Sequence, residues 1–543
     1  MTSSSKQLIL THMNQQRTQV VVVGGALTGL SAALFLAHQG IRVTVVERHP
    51  DLLPHPRLRG ITPRTVEVFR QVGLGPSIHR ASFSAEDGAF VPLRANTLAD
   101  EYEPVAETTG AEFDDPRTFS TDTYAGIDQD RLELLLRDRA RELGADIRHF
   151  TEVTALDQDA DGVTVTIRER ASGDEGAVRA DYLVAADGSR SPVRTWLGIE
   201  TDGPGVLFDT ITALVHADLS AAVRGRRIGI AYLQKPRPFS SMMPHDDSGT
   251  RWLFSTGYDP RQESVADFTT ERVAEMVRAA SGLDDVEVSL RPQIPGTDVT
   301  VLGFPIGAQV ARSYRSGRVF LAGDAARIQP PTGGFGGSTG VQDAHNLAWK
   351  LAAVLAGRAG PGLLDTYDAE RRPYGELAMR QAFARFGDRM AGGAQGELLD
   401  YAAVTMGFRY ASAAVPGNHD TAPVPATELR AQPGTRAPHR PTADGGSTLD
   451  LYGETFVLLA GSEGQEWARS AKDPGTASGV EVRSYVLGTD IDITDGEEAH
   501  GIGPRGAVLV RPDGFVAWRS QAGAADPAAT LAEVLRTVLA RQD

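Results

Sequence analysis

Apolar and polar residues along the first fifty positions predict a strand, a helix and a second strand. Residues 19–23 are almost continuously apolar, as in a parallel strand buried on both faces. Residues 27–38 have helical periodicity, and Gly40 behind them is a common helix stop. Residues 41–47 alternate between apolar and polar and predict the second strand. Together they form a βαβ unit, which predicts a parallel sheet.

The pattern changes twice further along the chain. Between residues 205 and 300 it consists of short β segments with several prolines, which indicates an inserted, mainly antiparallel sheet. Beyond residue 395, prolines mark a linker, and strands followed by a final helix indicate a small α/β domain. The other elements predicted from periodicity are helices over 130–143, 341–355 and 529–540 and strands over 163–168, 182–186, 228–233, 252–255, 319–321, 455–459 and 507–510.

Composition narrows the function classes. With 543 residues the chain is too long for one core, and its net charge of −16 argues against nucleic-acid binding. The absence of cysteine excludes disulfides, thiolate metal sites and cysteine nucleophiles, so redox chemistry requires a bound cofactor. We predict no metal site. No apolar run reaches the length of a membrane span, so we expect a cytoplasmic protein, monomeric or homodimeric.

The first motif lies between the first strand and the first helix. Gly24, Gly25, Ala26 and Gly29 form a glycine-rich turn, and Glu47 ends the second strand. Glycines there let backbone N–H groups approach a pyrophosphate at the helix N-terminus, and a carboxylate about 20 residues on accepts ribose hydroxyls. The motif predicts a dinucleotide site, and a plain βα turn is the alternative.

The second motif, Asp187-Gly188, follows an apolar strand. An Asp-Gly pair in that position is common in ordinary turns, so the motif alone leaves a simple turn as the alternative to a cofactor contact.

The third motif is a strand ending in Asp324, then a loop rich in proline and glycine, then a helix. The carboxylate is placed where polyol hydroxyls bind, and the helix N-terminus points its partial positive charge at a neighbouring ring. The alternative is a flexible surface loop. The predicted cofactor residues of the loop are Pro331, Gly333, Gly334, Phe335 and Gly336.

In order and spacing the three motifs resemble the class A flavoprotein monooxygenases, which share the p-hydroxybenzoate hydroxylase fold. The resemblance implies FAD as cofactor, with its ADP part on the first motif, its ribitol on Asp324 and its isoalloxazine beside the glycine loop. It implies that Asp187 takes part in the binding of both FAD and NAD(P)H. It also implies that Gln129 contacts the cofactor and that Arg57 and Arg64 line the mobile flavin ring. Two positions depart from the family pattern, with Arg327 in place of His and Ser338 in place of Asn.

The segments 433–439 and 508–519 resemble the thioredoxin-like tail of larger family members, among them phenol hydroxylases and anthracycline-type polyketide hydroxylases. The predicted fold class is therefore α/β, a Rossmann-like FAD-binding domain with an inserted, mainly antiparallel substrate sheet and a thioredoxin-like C-terminal domain without cysteines. The predicted division is a disordered extension over 1–18, an FAD-binding domain over 19–204 and 301–395, a substrate domain over 205–300, and a linker with the tail domain over 396–543.

The resemblance implies a hydroxylase that uses FAD, O2 and NADPH or NADH on an aromatic polyketide or related polycyclic phenol. A Baeyer–Villiger or ring-rearranging oxygenase on the same substrate class is the alternative, and a non-enzymatic FAD-binding or redox-sensing protein is a third reading. The cofactor carries the oxygen transfer, so no catalytic nucleophile is assigned. His245 is the candidate general base. The candidate substrate-pocket residues, for which ordinary sheet core is the alternative, are Tyr232, Phe239, Met242 and Met243.

Overall fold

A computed structural model describes residues 15–55, 58–83, 91–105, 118–245, 248–391, 396–473 and 479–541. Arg57 and most of the predicted N-terminal extension lie outside these ranges.

The described strands form four sheets. In chain order they are β1 (Gln15–Arg17), β2 (Val20–Val23), β3 (Val43–Val46), β4 (Val91–Ala95), β5 (Tyr102–Pro104), β6 (Asp146–Arg148), β7 (Thr151–Gln158), β8 (Val163–Glu169), β9 (Glu175–Ala180), β10 (Tyr182–Ala185), β11 (Thr201–His216), β12 (Ile228–Leu233), β13 (Ser240–Pro244), β14 (Arg251–Tyr258), β15 (Ser289–Arg291), β16 (Val301–Ala311), β17 (Arg315–Ser316), β18 (Val319–Leu321), β19 (Arg327–Ile328), β20 (Phe456–Ala460), β21 (Val482–Val486), β22 (Ala507–Val510) and β23 (Val516–Ser520).

The α-helices of the described residues range from four to 27 residues in length. They are α1 (Leu27–His38), α2 (Pro63–Arg70), α3 (Gly75–Ala81), α4 (Gln129–Glu142), α5 (Pro192–Trp196), α6 (Ser220–Val223), α7 (Thr270–Ser281), α8 (Phe335–Leu355), α9 (Asp365–Ala391), α10 (Tyr401–Thr405), α11 (Gln465–Lys472), α12 (Gly496–Ala499) and α13 (Pro527–Val538).

A six-stranded sheet with the order β17-β18-β10-β2-β3-β6 forms the centre of the nucleotide-binding part. Strands β18, β10, β2, β3 and β6 are parallel. Every residue of β2 and β3 is buried, as the continuous apolar run requires of a strand covered on both faces. The predicted Rossmann-like core is confirmed.

A nine-stranded sheet contains the inserted strands β11 to β16. It extends beyond the predicted 205–300, since β11 begins at Thr201 and β16 ends at Ala311. It also takes in β4 and β5 from the first part of the chain, because β4 pairs in parallel with β12. Helix α7 packs on one face, where Met242, Phe254 and Val277 belong to one apolar core.

The C-terminal four-stranded sheet has the order β21-β20-β22-β23. Strands β20 and β21 are parallel, and β22 and β23 continue antiparallel to their neighbours. Helix α11 connects the two parallel strands, and α13 closes the domain. This is the thioredoxin-like topology that the sequence predicted.

Two predictions of local structure are wrong. Residues 15–17, predicted to be disordered, form β1, which pairs in parallel with β9 through its backbone. Helix α8, predicted to begin at residue 341, begins at Phe335. Among the described residues, no helix combines the length and the apolar character that a bilayer crossing requires.

Candidate active site

The residues of the three motifs meet at one edge of the parallel sheet. Strands β2, β3, β10 and β18 run in the same direction, and their last residues lie side by side in register. The Gly24 turn, Glu47, Asp187 and Asp324 follow these four strand ends. In open α/β sheets a ligand binds at this edge, outside the carboxyl ends of the strands.

Two glycines of the first motif, Gly24 and Gly29, are packed so closely that side chains are excluded at their positions. Gly24 has a φ of +102°, and a Cβ atom there would lie 2.2 Å from the carbonyl oxygen of Ala186. A Cβ on Gly29 would lie 1.9 Å from the carbonyl oxygen of Gly24. The absence of side chains therefore lets the turn, the neighbouring strand end and α1 approach one another, and it leaves backbone N–H groups at the N-terminus of α1.

Two glutamates hold this turn. The Glu47 carboxylate accepts hydrogen bonds from the backbone N–H groups of Gly25, at 2.6 Å, and His49, at 2.8 Å. The buried Glu133 accepts from the N–H of Leu27, at 2.8 Å, and from the side-chain amide of Gln129, at 2.6 Å. Glu133 was not among the predicted site residues. Its spacing of four from Gln129 on an amphipathic helix is the signal that the two side chains share one face.

The carboxylate of Asp187 is bonded within its own turn. It accepts from the hydroxyl of Ser191, at 2.6 Å, and from the N–H of Val193, at 3.0 Å. Burial raises the pKa of this carboxyl despite those hydrogen bonds. Arg194 then donates to the carbonyl of Ala325, at 2.7 Å. The Asp187 turn is thereby tied to the segment that carries Asp324, a link made by an arginine that the sequence analysis did not single out.

Asp324 lies on a single 3-10 turn after β18, and it is exposed. The preceding Gly323 has a φ of +62°, and a Cβ there would lie 2.4 Å from the hydroxyl of Thr28. Gly340 on α8 is equally close to Thr28, since its Cβ would also lie 2.4 Å from that hydroxyl. Helices α1 and α8 therefore approach each other on either side of the turn that presents Asp324.

A buried ionic cluster supports the glycine loop from below. Asp343 on α8 accepts hydrogen bonds from the N–H of Gly323, at 3.1 Å, from Arg327, at 2.6 Å, and from Arg371, at 2.7 Å. Arg327 also donates to the carbonyl of Gly336 in the first turn of α8, directly after the loop, at 3.2 Å. The arginine that replaces the family's histidine is thus 2 % exposed and braces the loop from its inner side.

The glycine loop runs from Pro331 into α8. Gly333 and Gly334 have φ values of +80° and +63°, and Gly333 accepts a hydrogen bond from the hydroxyl of Tyr401 at 3.1 Å. The side chain of Phe335 is buried against Tyr401, with ring centroids 5.3 Å apart. Phe335 can therefore meet a cofactor only through its backbone.

Two polar side chains beside this loop differ in their partners. Ser338, which replaces the family's Asn, accepts from the N–H of Thr62 at 3.2 Å and so ties α8 to α2. Gln329 has both side-chain amide atoms buried without a hydrogen-bond partner among the described residues. A Cβ on Gly336 would lie 3.8 Å from the Gln329 amide nitrogen, so this amide is beside the loop. Burial of an unpaired amide is costly, which indicates a ligand at this position.

The nine-stranded sheet presents to this region the face opposite α7, which we call the open face. Residues of the nucleotide-binding part frame it. His55 bonds to Gln293, at 2.5 Å, and its ring lies 6.3 Å from that of Phe304.

Helix α9 also contacts the open face. Phe386 of α9 stacks on Phe208 of the sheet, with ring centroids 5.7 Å apart. Since Thr332 of the glycine loop donates to the Ala382 carbonyl at 2.5 Å, helix α9 connects the glycine loop with the open face.

The four candidate pocket residues do not share one environment. Tyr232 and Phe239 line a pocket together with Arg94, and Met243 is partly exposed. Met242 is fully buried under α7, so its assignment to the substrate pocket is wrong. The reason is that side chains alternate along β13, so Met242 and Met243 face opposite sides of the sheet.

His245 lies where the open face meets α4. Its Nε2 is 3.6 Å from Asp130 and 3.9 Å from Asp128, and its side chain is 1 % exposed. Burial alone would raise the pKa of Asp130, but a hydrogen bond and charge attraction from His245 hold that pKa below its usual value. Arg59 pairs with Asp128 at 3.3 Å and donates to the Pro244 carbonyl. The junction between the open face and the start of α4 is therefore ionic.

Arg64 does not line the flavin site. It is buried, bonds to Glu67 at 3.1 Å and donates to the Asp513 carbonyl at 2.7 Å. Its guanidinium also lies 5.4 Å from the ring centre of Phe515. The prediction for Arg64 is wrong because the side chain turns toward the C-terminal domain, a contact that sequence spacing does not reveal.

The site fits an FAD molecule on three independent observations. Gly24 and Gly29 have room only for backbone, the Gln329 amide is buried without a partner among the described residues, and the loop before α8 presents left-handed glycines at a helix N-terminus. Such a helix end stabilises negative charge.

Comparison with known proteins agrees. An FAD binding domain family matches residues 17–382, and the C-terminal domain of aromatic-ring hydroxylases matches residues 430–541. The chain is 42% identical to 4-methyl-5-nitrocatechol 5-monooxygenase of a Burkholderia species, over 96% of this chain and 97% of that protein. It is 41% identical to tetracenomycin A2 monooxygenase-dioxygenase of Streptomyces glaucescens, over 97% and 98% of the two chains.

Among solved structures, the ternary complex of aklavinone-11 hydroxylase with FAD and aklavinone superposes with a TM-score of 0.88. It is 38% identical, and the match covers 97% of this chain and 100% of that one. The motifs, the fold and the relatives agree: the chain belongs to the class A flavoprotein monooxygenases and is an FAD-dependent aromatic-ring hydroxylase with a thioredoxin-like C-terminal domain.

Proposed function

We propose that this enzyme hydroxylates an aromatic polyketide or a related polycyclic phenol in secondary metabolism, with NADPH or NADH as reductant. The observation that carries the proposal is the open face, a partly exposed sheet surface flanked by the stacked rings of Phe208 and Phe386. Such a surface suits a flat, extended ring system. The relatives named for tetracenomycin A2 and for aklavinone support the same substrate class.

The overall reaction consumes one NAD(P)H, one O2, one proton and the phenol, and it yields NAD(P)⁺, water and the hydroxylated phenol. Bound FAD supplies hydride acceptance and the activation of O2. The chain binds the substrate, excludes water and holds the protons. Because the cofactor provides the oxidising chemistry, no side chain has to become covalently attached.

The residues proposed to hold FAD follow the edge of the parallel sheet. Those proposed for the ADP part are Gly24, Gly25, Ala26, Gly29 and Glu47. Asp324 is proposed to bind the ribitol hydroxyls, and Gln129 and the Asp187 turn to border the cofactor. The residues proposed for the isoalloxazine are Pro331, Gly333, Gly334, the backbone of Phe335, Gly336 and, added from its buried amide, Gln329.

Three side chains are proposed to meet the substrate. Tyr232, Phe239 and Met243 lie along the open face or at its rim. Burial raises the pKa of Tyr232 above its ordinary value, so the phenol stays protonated and donates a hydrogen bond at neutral pH. His245, held between two carboxylates, is the proposed proton acceptor for the substrate phenol.

The test is turnover by the purified, yellow holoenzyme. A panel of hydroxylated anthraquinones and naphthacenes is supplied with NADPH or NADH, and NAD(P)H consumption and products are measured. We expect one panel member to accelerate NAD(P)H oxidation and to gain one oxygen atom as a new aromatic hydroxyl. No acceleration by any polycyclic phenol would overturn the substrate class, and a lactone or ester product would establish the Baeyer–Villiger alternative.

A further inference from the structure

The open face carries a line of hydroxyl groups that crosses adjacent strands. Side chains alternate along a strand, and Ile211, Ala213 and Phe254 point into the core under α7. Thr212 on β11 and Ser255 on β14 therefore point to the open face. Ser241 on β13 does so as well, because its neighbour Met242 belongs to the core.

Strand register places these hydroxyls side by side. Thr212 is the cross-strand partner of Ser255, and Ser255 is the partner of Ser241. The line continues because Ser241 is opposite Tyr232, and Tyr232 is opposite Arg94. With strands about 4.8 Å apart, Thr212 and Tyr232 are separated by about 14 Å. This length is comparable to that of several linearly fused six-membered rings.

The polar line runs between two apolar borders. Leu214, Leu253 and Met243 are cross-strand partners on one side of it. On the other side Gly257 leaves space below the rings of Phe208 and Phe239, which stack at 5.6 Å. The open face is therefore polar along its middle and apolar on both flanks.

The hydroxyls are not fully satisfied by one another. Ser241 and Ser255 share one hydrogen bond of 2.7 Å, which leaves one hydroxyl proton of the pair for a further acceptor. Thr212 is 3 % exposed, and its Oγ1 has no hydrogen-bond partner among the described residues. A buried hydroxyl without a partner is costly, which points to a polar ligand group beside it.

We propose that Thr212, Ser255 and Ser241, which we call the hydroxyl row, bind oxygen substituents along one edge of a flat polycyclic substrate and so determine how it is oriented. The inference rests on the proposed function, since it assigns specificity within the same pocket. The ring faces lie against the two apolar borders, and the oxygenated edge lies on the row. A substrate without oxygens on that edge leaves the row unpaired and binds more weakly.

The experiment compares two probes bound to the holoenzyme, followed by the change in flavin absorbance. One is 1,8-dihydroxyanthraquinone, which has three oxygens on one long edge, and the other is unsubstituted anthraquinone, which has a single oxygen on each long edge. We expect the wild type to prefer the dihydroxy probe. Thr212→Val and Ser241→Ala should each reduce that preference by about 3- to 10-fold, with a smaller change in anthraquinone affinity, because anthraquinone has fewer oxygens on the row. Turnover of an accepted substrate should show a mixture of hydroxylated positions in the same variants.

The matched control is Thr256→Val. Thr256 and Ser240 form a second hydroxyl pair, at 2.9 Å, one position along the same two strands but on the face under α7. The control replaces a buried threonine by the same isosteric residue as Thr212→Val, and it should leave the preference unchanged. Flavin content and circular dichroism identify any variant that fails to fold, in which case Ser255→Ala replaces it.

Three results overturn the row. These are equal affinity of the wild type for both probes, an unchanged preference in Thr212→Val and Ser241→Ala, and an equal loss in Thr256→Val. If the wild type binds neither probe and no polycyclic phenol accelerates NAD(P)H oxidation, the proposed function fails, and the row fails with it. Binding of both probes with equal affinity removes the row alone.

Discussion

Replacement of Gly24 by alanine should abolish most FAD affinity, and the magnitude follows from two terms. Alanine at a φ of +102° costs about 1–2 kcal/mol as a left-handed residue. The new methyl group would also lie 2.2 Å from the Ala186 carbonyl oxygen and 2.7 Å from its carbon, both backbone atoms. Overpacking of this kind costs about 1–3 kcal/mol. The turn must move away from β10, and it carries the predicted pyrophosphate site with it.

A matched control separates the two terms. Gly40, just beyond the other end of α1, has a φ of +76°, but nothing lies within 4 Å of its would-be Cβ. Gly40→Ala therefore has the conformational cost without the collision. We expect FAD titration of the deflavinated proteins to show a loss of about 100-fold or more for Gly24→Ala and little change for Gly40→Ala. Wild-type FAD affinity in Gly24→Ala, or equal losses in both variants, would refute the reasoning.

Three further predictions concern ionisable side chains. Glu370→Gln should destabilise the protein by about 3–5 kcal/mol in thermal unfolding, since Glu370 accepts from Lys350 at 2.7 Å and Arg511 at 2.6 Å. Adding Lys350→Met should recover part of the loss, and an unchanged melting temperature would contradict the assignment. Burial lowers the pKa of His500 from 6.5 to about 4, so the unfolded state binds more protons between these values. Stability should therefore fall as the pH drops, by about 2 kcal/mol at pH 5, and His500→Gln should flatten this dependence in pH-resolved melting curves. Arg194→Met should weaken FAD binding by about 1.5–3 kcal/mol in the same titration, because it removes the charged hydrogen bond to Ala325; full affinity would show that the link is dispensable.

Periodicity predicted the bounds of elements that have a clear pattern of apolar residues in their own sequence. Helix α1 has the predicted bounds, and β12, β18 and β22 do too. The prediction placed the start of α8 six residues too late because the first turns of the helix contain glycines, which have low helix propensity. Tertiary contact explains why they are tolerated, since a Cβ on Gly337 would lie 2.3 Å from the Leu58 side chain. Strand β1 was not predicted because its sequence has no apolar pattern. It forms through backbone pairing with β9.

The cofactor side of the site was more predictable than the substrate side for a physical reason. Residues that follow parallel strands must meet at one edge, so Glu47, Asp187 and Asp324 could be placed together from their positions after strands. The hydroxyl row depends on the register between β11, β13 and β14, and a slip of one residue would reverse the face of every side chain. Sequence patterns identify such strands without giving their register, which is why Met242 was assigned to the wrong face.

The C-terminal domain takes part in the same buried ionic structure that braces the glycine loop. Arg327 and Arg371 share Asp343 below the loop, and Arg371 donates to the Tyr410 hydroxyl at 2.8 Å. The preceding residue of α9, Glu370, accepts a hydrogen bond from Arg511 of the C-terminal domain.

Both ions of the contact between Glu370 and Arg511 have side-chain exposures of 0%. Separating the two domains would expose or unpair these charges, so the interface is costly to open once it is formed. This domain has the thioredoxin topology but no cysteine, and its role here is therefore structural. It completes the charge balance behind α8 and α9, the two helices that position the glycine loop against the open face.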